Sequence, residues 1–218
     1  MIQIAPSILA SDFSKMGEEL RKIDRAGADW VHVDVMDGMF VPNITFGQAV
    51  IGSYRKHTDL PFDVHLMIVD PIRYIKDFAE AGSDYITFHV EAVKGEKEVR
   101  ETIQAVRECG KKVGLSIKPG TPASALTPYL NLIDLVLIMT VEPGFGNQKL
   151  IPECLEKVAQ VRADAKAQGV ELLISVDGGV NPSTIQQVWD SGVDVAVAGS
   201  AVFKAEDTAE MIRSLQGN

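Results

Sequence analysis

Eight short apolar runs, rich in β-branched residues, alternate with longer amphipathic stretches along this chain, and that alternation limits the folds open to it. The runs cover residues 4–9, 30–35, 62–67, 85–90, 113–117, 135–141, 172–176 and 193–198. They are short enough to read as strands. Helical spacing of apolar residues follows at residues 13–26, 71–81, 96–109, 152–168 and 183–191, and a glycine closes each stretch, at Gly27, Gly82, Gly110, Gly169 and Gly192. Strict alternation of this kind predicts a parallel sheet covered by helices. Eight units in 218 residues leave about 27 residues each, near the minimum for a closed (β/α)8 TIM barrel. An open doubly wound sheet is the alternative, but its Gly-x-Gly-x-x-Gly turn is missing, since the first run leads into Ala10-Ser11-Asp12. No linker or low-complexity tract interrupts the pattern, so residues 1–218 are expected to form one barrel domain.

The formal net charge is -9 and no basic run occurs, which removes the electrostatic footprint expected for nucleic acid or an anionic membrane. An anionic ligand would have to be held locally, by backbone amides and helix N-termini. Residues 1–6 carry no basic leader, and no stretch approaches a membrane span, so a soluble cytoplasmic protein is expected. Cys109 and Cys154 lack metal-type spacing and read as reduced thiols.

In a parallel barrel, polar residues at the C-terminal ends of strands face the site. Ser7 ends the first run; His32-Val33-Asp34-Val35-Met36 forms the second; His65-Leu66-Met67 ends the third; Val176-Asp177-Gly178-Gly179 ends the seventh. Side chains alternate faces along a strand, so His32, Asp34 and Met36 point together. If that face is the barrel interior, His32 and Asp34 converge with His65 and Asp177. Two imidazoles and two carboxylates suit a borderline divalent ion such as Zn²⁺. The bland reading of one buried histidine is a hydrogen-bonded core residue, but four such residues ending three strands favour a metal site. Asp34 and Asp177 could then act as general base and general acid on opposite faces of one carbon, or serve only as ligands.

Glycine turns follow three consecutive strands: Gly144-Phe145-Gly146-Asn147, Gly178-Gly179 with Asn181 as a helix cap, and Gly199-Ser200. Each alone is an ordinary turn; together they suit a phosphate, whose oxygens glycine lets backbone amides approach. Met36, Met67 and Met139 read as core filling or as an apolar wall around the site. His89 reads as structural or as a support to a ligand, and His57 as a surface residue. Glu91, Lys118 and Glu142 lie near the same rim, without roles that spacing can assign.

The segments Ala5-Pro6-Ser7-Ile8-Leu9, His32 to Gly38, Phe40-Val41-Pro42-Asn43, His65-Leu66-Met67, Met139 to Gly146, Val176 to Gly179 and Gly199-Ser200 together resemble the ribulose-phosphate 3-epimerase family over nearly the whole chain. The resemblance implies a ribulose-phosphate-binding barrel that interconverts D-ribulose 5-phosphate and D-xylulose 5-phosphate in the pentose phosphate pathway, through an enediolate. It implies one divalent ion on His32, Asp34, His65 and Asp177, zinc first, with Fe²⁺, Mn²⁺ or Co²⁺ as alternatives. It makes Asp34 and Asp177 the acid/base pair. It implies substrate contacts at Ser7, His65, Gly144, Phe145, Gly146, Asn147, Gly178, Gly179, Gly199 and Ser200, and a homo-oligomer, dimer or hexamer. Three positions depart from the family pattern: Met39 for histidine, Asn147 for glycine and Ser175 for glutamate. Asparagine tolerates left-handed backbone angles, so the loop at Asn147 is expected to survive.

The nearest rival is a 3-epimerase of a ketohexose 6-phosphate such as D-allulose 6-phosphate, which would use the same chemistry. A phosphosugar decarboxylase or aldolase would need an Asp-x-Lys-x-x-Asp constellation or a Schiff-base lysine, and neither is evident. A non-catalytic phosphosugar-binding barrel would have no use for two carboxylates beside a metal.

Overall fold

Each of the eight apolar runs contains a strand. The computed structural model describes residues 1–217, with β1 (Gln3–Pro6), β2 (Val31–Met36), β3 (Phe62–Met67), β4 (Tyr85–His89), β5 (Lys112–Ile117), β6 (Leu135–Met139), β7 (Leu173–Asp177) and β8 (Val195–Ala198). All pairings are parallel, in the order β1-β8-β7-β6-β5-β4-β3-β2. The ends of that order meet through a single bridge, Ser7 to His32, and through the amides of Asp29 and Trp30, which both donate to the Ile4 carbonyl. The sheet is therefore a nearly closed barrel, and its thinnest seam lies between β1 and β2.

Helices α1 (Met16–Arg25), α2 (Gln48–Arg55), α3 (Ile75–Glu80), α4 (Gly95–Glu108), α5 (Glu156–Gln168), α6 (Ile185–Asp190), α7 (Ser200–Phe203) and α8 (Thr208–Gln216) cover the outside. The strand alternation divides the apolar residues into two layers. Val33, Val64, Phe88, Leu115, Ile138 and Val176 point outward and pack with Leu20, Ile51, Phe78, Ile103 and Val158 of the helices. Ala5, Trp30, Leu135, Leu137, Val195 and Val197 point inward and fill the barrel. Truncating Phe88, which is fully buried, to alanine would cost about 3–5 kcal/mol.

Several boundaries differ from the sequence pattern. The first strand stops at Pro6, and Ile8–Ala10 form a 3₁₀ turn. Three predicted helices open with a 3₁₀ turn, at Phe13–Lys15, Pro71–Tyr74 and Pro152–Leu155. Between β5 and β6 only 3₁₀ turns occur, Ala123–Ala125 and Thr127–Leu132, beside Pro122 and Pro128, whose rings disfavour a continuous helix. Asn181 does not cap α6 directly; its side chain accepts from the Ser183 amide in a turn that precedes Ile185. Cys109 and Cys154 are unpaired. No helix among the described residues is long and apolar enough to cross a membrane.

Candidate active site

The strand register stacks the inward-facing polar residues in tiers. Asp34 lies beside His65 and Thr87, and one step deeper His32 lies beside Asp63 and Tyr85. Asp177 completes the upper tier from β7, where it pairs with Met139. One nitrogen or oxygen from each of His32, Asp34, His65 and Asp177 falls within 4.8 Å of the others. His32 Nε2 is 3.2 Å from Asp34 Oδ1 and 3.8 Å from Asp177 Oδ2; His65 Nδ1 is 3.2 Å and 3.9 Å from the same two atoms.

His32 Nε2 is buried and makes no hydrogen bond, a costly state for a polar atom unless something else uses its lone pair. The other ring nitrogen, Nδ1, lies 2.9 Å from Asp63 Oδ2, and Asp63 Oδ1 accepts the Thr87 hydroxyl at 2.7 Å. A carboxylate can only accept here, so His32 Nδ1 donates to Asp63, and Nε2 is the nitrogen that faces Asp34 and Asp177. This donor set, two imidazole nitrogens and two carboxylates, could hold a divalent metal ion.

The two carboxyls differ in environment. Asp34 is buried, which alone would raise its pKa, but His32 and His65 beside it hold it well below the usual range. The Ser7 hydroxyl donates to its Oδ2 at 2.5 Å. Asp177 moves the other way: burial, then the charge of Asp34, push it up to about 6. His32 is raised well above an ordinary imidazole, chiefly by Asp34, against an opposing desolvation.

Above these residues lies a cavity of about 490 Å³. Ser7, Asp34, Met36, Met67, Met139 and Asp177 form its floor, while Gly144, Phe145, Gly146 and Asn147, Gly178 and Gly179, and Gly199 and Ser200 form its rim. Of the residues expected from sequence, His32 and His65 do not line it; both are fully buried beneath. The contact expected between His65 and substrate has no free polar atom behind it, because Nε2 is bonded to His89 and Nδ1 faces the carboxylates. Asn147 does adopt a left-handed angle, φ +59°. Met39 is an exposed loop residue, and Ser175 leaves a buried hydroxyl without a partner one step below Asp177.

Sequence reasoning missed Asp63 and Thr87 as supports, Asn43, whose amide donates to the Gly144 carbonyl and ties two rim loops, and the role of Glu91. The inward parity shared by Asp63 and His65 was the signal that could have found Asp63. A larger hollow, about 810 Å³, opens at the opposite end of the barrel. Two of its three cations are paired, Lys112 with Asp134 and Arg162 with Asp194, and among the described residues the metal-competent cluster lies elsewhere, beneath the smaller cavity. The site is the smaller cavity.

Fold and site together define a (β/α)8-barrel enzyme with a metal-competent carboxylate pair beneath a glycine-rimmed cavity. The model of the ribulose-phosphate 3-epimerase family matches residues 3–203. Ribulose-phosphate 3-epimerase of Synechocystis is 48% identical across all of this chain and 94% of its own, and that of Bacillus subtilis is 46% identical with both chains covered in full. The chain belongs to the ribulose-phosphate 3-epimerase family and is an epimerase acting on a phosphorylated pentose. In fold it is also similar to 3-hexulose-6-phosphate synthase from Salmonella typhimurium, at a TM-score of 0.72 and 18% identity, covering 99% of this chain and 97% of that one.

Proposed function

We propose that Asp34 and Asp177 exchange protons with opposite faces of carbon 3 as D-ribulose 5-phosphate and D-xylulose 5-phosphate interconvert. The observation that carries this reading is that the two carboxyls share one cavity floor while their surroundings shift their pKa values in opposite directions. Environments that push two acids apart in pKa supply a base and an acid together. Asp34, ionised and held by Ser7, removes the proton; Asp177, whose pKa of about 6 lies close to the working range, donates one. The roles reverse in the other direction.

His32, Asp34, His65 and Asp177 would hold one divalent ion, with Zn²⁺ suited best to the mixed nitrogen and oxygen set. When bound, the ion supplies positive charge that favours the enediolate over the ketone. The three methionines wall the floor and keep water from the reacting carbon. Backbone amides of Gly178, Gly179, Gly199 and Ser200 would receive the phosphate, which this acidic chain cannot attract by overall charge. Exposed apolar side chains at Met39, Ile44, Val69 and Ile72 support self-association of the chain.

The test is incubation of metal-loaded enzyme with D-ribulose 5-phosphate in heavy water, followed by NMR at carbon 3. Deuterium should enter together with formation of D-xylulose 5-phosphate, and Asp177→Asn should lose both. Exchange without product in the unaltered enzyme would mean that only one face has a working base.

A further inference from the structure

A chain of hydrogen bonds runs from the upper tier to the barrel rim without touching the cavity. His65 Nε2 lies 2.8 Å from His89 Nε2, and His89 Nδ1 lies 3.2 Å from Glu91 Oε2. The other oxygen of Glu91 accepts the Lys118 amide at 2.8 Å and the Thr121 hydroxyl. Both imidazoles are fully buried, and the rings lie 5.0 Å apart in a stacked arrangement. Phe40 covers His89 at 4.9 Å, and the Lys118 ammonium sits over Phe40.

The direction of the chain follows from its outer end. A backbone N–H can only donate, so the Lys118 amide fixes Glu91 Oε1 as an acceptor. Against burial, the hydrogen bonds from His89, Thr121 and Lys118 keep Glu91 ionised, at about 2, which leaves Oε2 an acceptor as well.

We infer that Glu91 and His89 are positioning residues for His65 as a metal ligand: Glu91 accepts from His89 Nδ1, so His89 Nε2 can accept from His65 Nε2–H, and His65 Nδ1, which otherwise donates to Asp34 Oδ1, is free to turn its lone pair to an ion. His32 reaches the same centre through the opposite nitrogen, Nε2, because Asp63 fixes its proton on Nδ1. Two separate relays thus support opposite tautomers in the two ligand histidines once an ion is held. The inference rests on the metal-site reading above, and its test separates the two.

The decisive variant is Glu91→Gln. The Lys118 amide and the Thr121 hydroxyl require the carboxamide oxygen on their side, so the NH₂ group must face His89 Nδ1 and donate to it. The proton of His89 then moves to Nε2, His65 Nε2 becomes the acceptor, and the proton of His65 is held on Nδ1, where an ion would have to displace it. Long-range ¹H–¹⁵N spectra of the metal-free protein should show His89 protonated on Nδ1 in wild type and on Nε2 alone in Glu91→Gln. Zn²⁺ affinity, read by competition with a chelating dye, should fall about 10- to 100-fold. Glu91→Ala removes the acceptor without supplying a donor, so it should mix the two tautomers and lose less affinity than Glu91→Gln. A merely structural role predicts the reverse order, since alanine leaves the larger void. An unchanged His89 tautomer in Glu91→Gln, or a greater loss in Glu91→Ala, would overturn the inference. Wild type that takes up no divalent ion would sink the metal-site reading, while the spectra of the metal-free proteins would still decide the relay.

Discussion

His32 Nδ1 and Asp63 Oδ2 stand 2.9 Å apart on neighbouring strands, both sealed from solvent. The contact fixes which nitrogen of His32 faces Asp34 and Asp177. Asp63→Leu is expected to lower Zn²⁺ affinity about 10- to 100-fold while the circular dichroism spectrum stays native. Dye competition measures it, and wild-type affinity in the variant would show that His32 orients without help.

Gly114 matters to the same contact from a distance. A methyl group built on it would lie 2.0 Å from Thr87 Oγ1, the hydroxyl that holds Asp63. Gly114→Ala should therefore displace Thr87 and weaken metal binding about tenfold. Thr87→Val, which removes the hydroxyl without crowding, should reproduce the loss; a normal affinity in both would disconnect this part of the barrel from the site.

The raised pKa of Asp177 has a stability consequence in protein stripped of metal. Its folded value, about 6, exceeds the ordinary 3.8, so between these values the folded state keeps a proton that the unfolded state has released. This group's contribution to stability therefore falls as pH rises through that window. Above about pH 6 the penalty is fully expressed, on the order of 3 kcal/mol. Asp177→Asn removes it, so metal-free Asp177→Asn should unfold at higher urea than metal-free wild type at about pH 8, with the difference vanishing below about pH 4. Saturating Zn²⁺ should reverse the order, because the wild-type fold alone keeps all four ligands.

Gly179 has φ +71°, and an added Cβ would come within 2.3 Å of the Leu150 backbone nitrogen. No rotamer change relieves a clash with backbone, so Gly179→Ala must move the loop that we propose receives phosphate. Steady-state kinetics should show KM raised about 10- to 100-fold, the loss of roughly 1–3 kcal/mol of binding. Metal affinity should stay unchanged; a drop there would mean that the loop supports the carboxylates.

The strands and the site residues were legible because their signals are local. Period-two alternation placed His32 and Asp34 on one face, and polar residues inside otherwise apolar runs marked where strands end. What sequence could not supply was cross-strand partnership. Asp63 and Thr87 act on partners 31 and 24 positions away, and Glu91 reaches His65 through His89, 24 positions from it; only the parallel register brings them together. Helix starts were also misplaced, because prolines at residues 71 and 152 open tight 3₁₀ turns that the apolar spacing does not distinguish from α-helix.

The seam between β1 and β2 gives the metal-competent cluster a mechanical meaning. Around the cylinder, Asp177 lies on one side of that seam, beyond β8 and β1, and His32 and His65 lie on the other. Whatever these side chains grip together would act as a clasp across the least-stitched join of the wall. Removing it should speed amide exchange first along residues 29–34, so that the enzyme begins to fray at its own reaction centre.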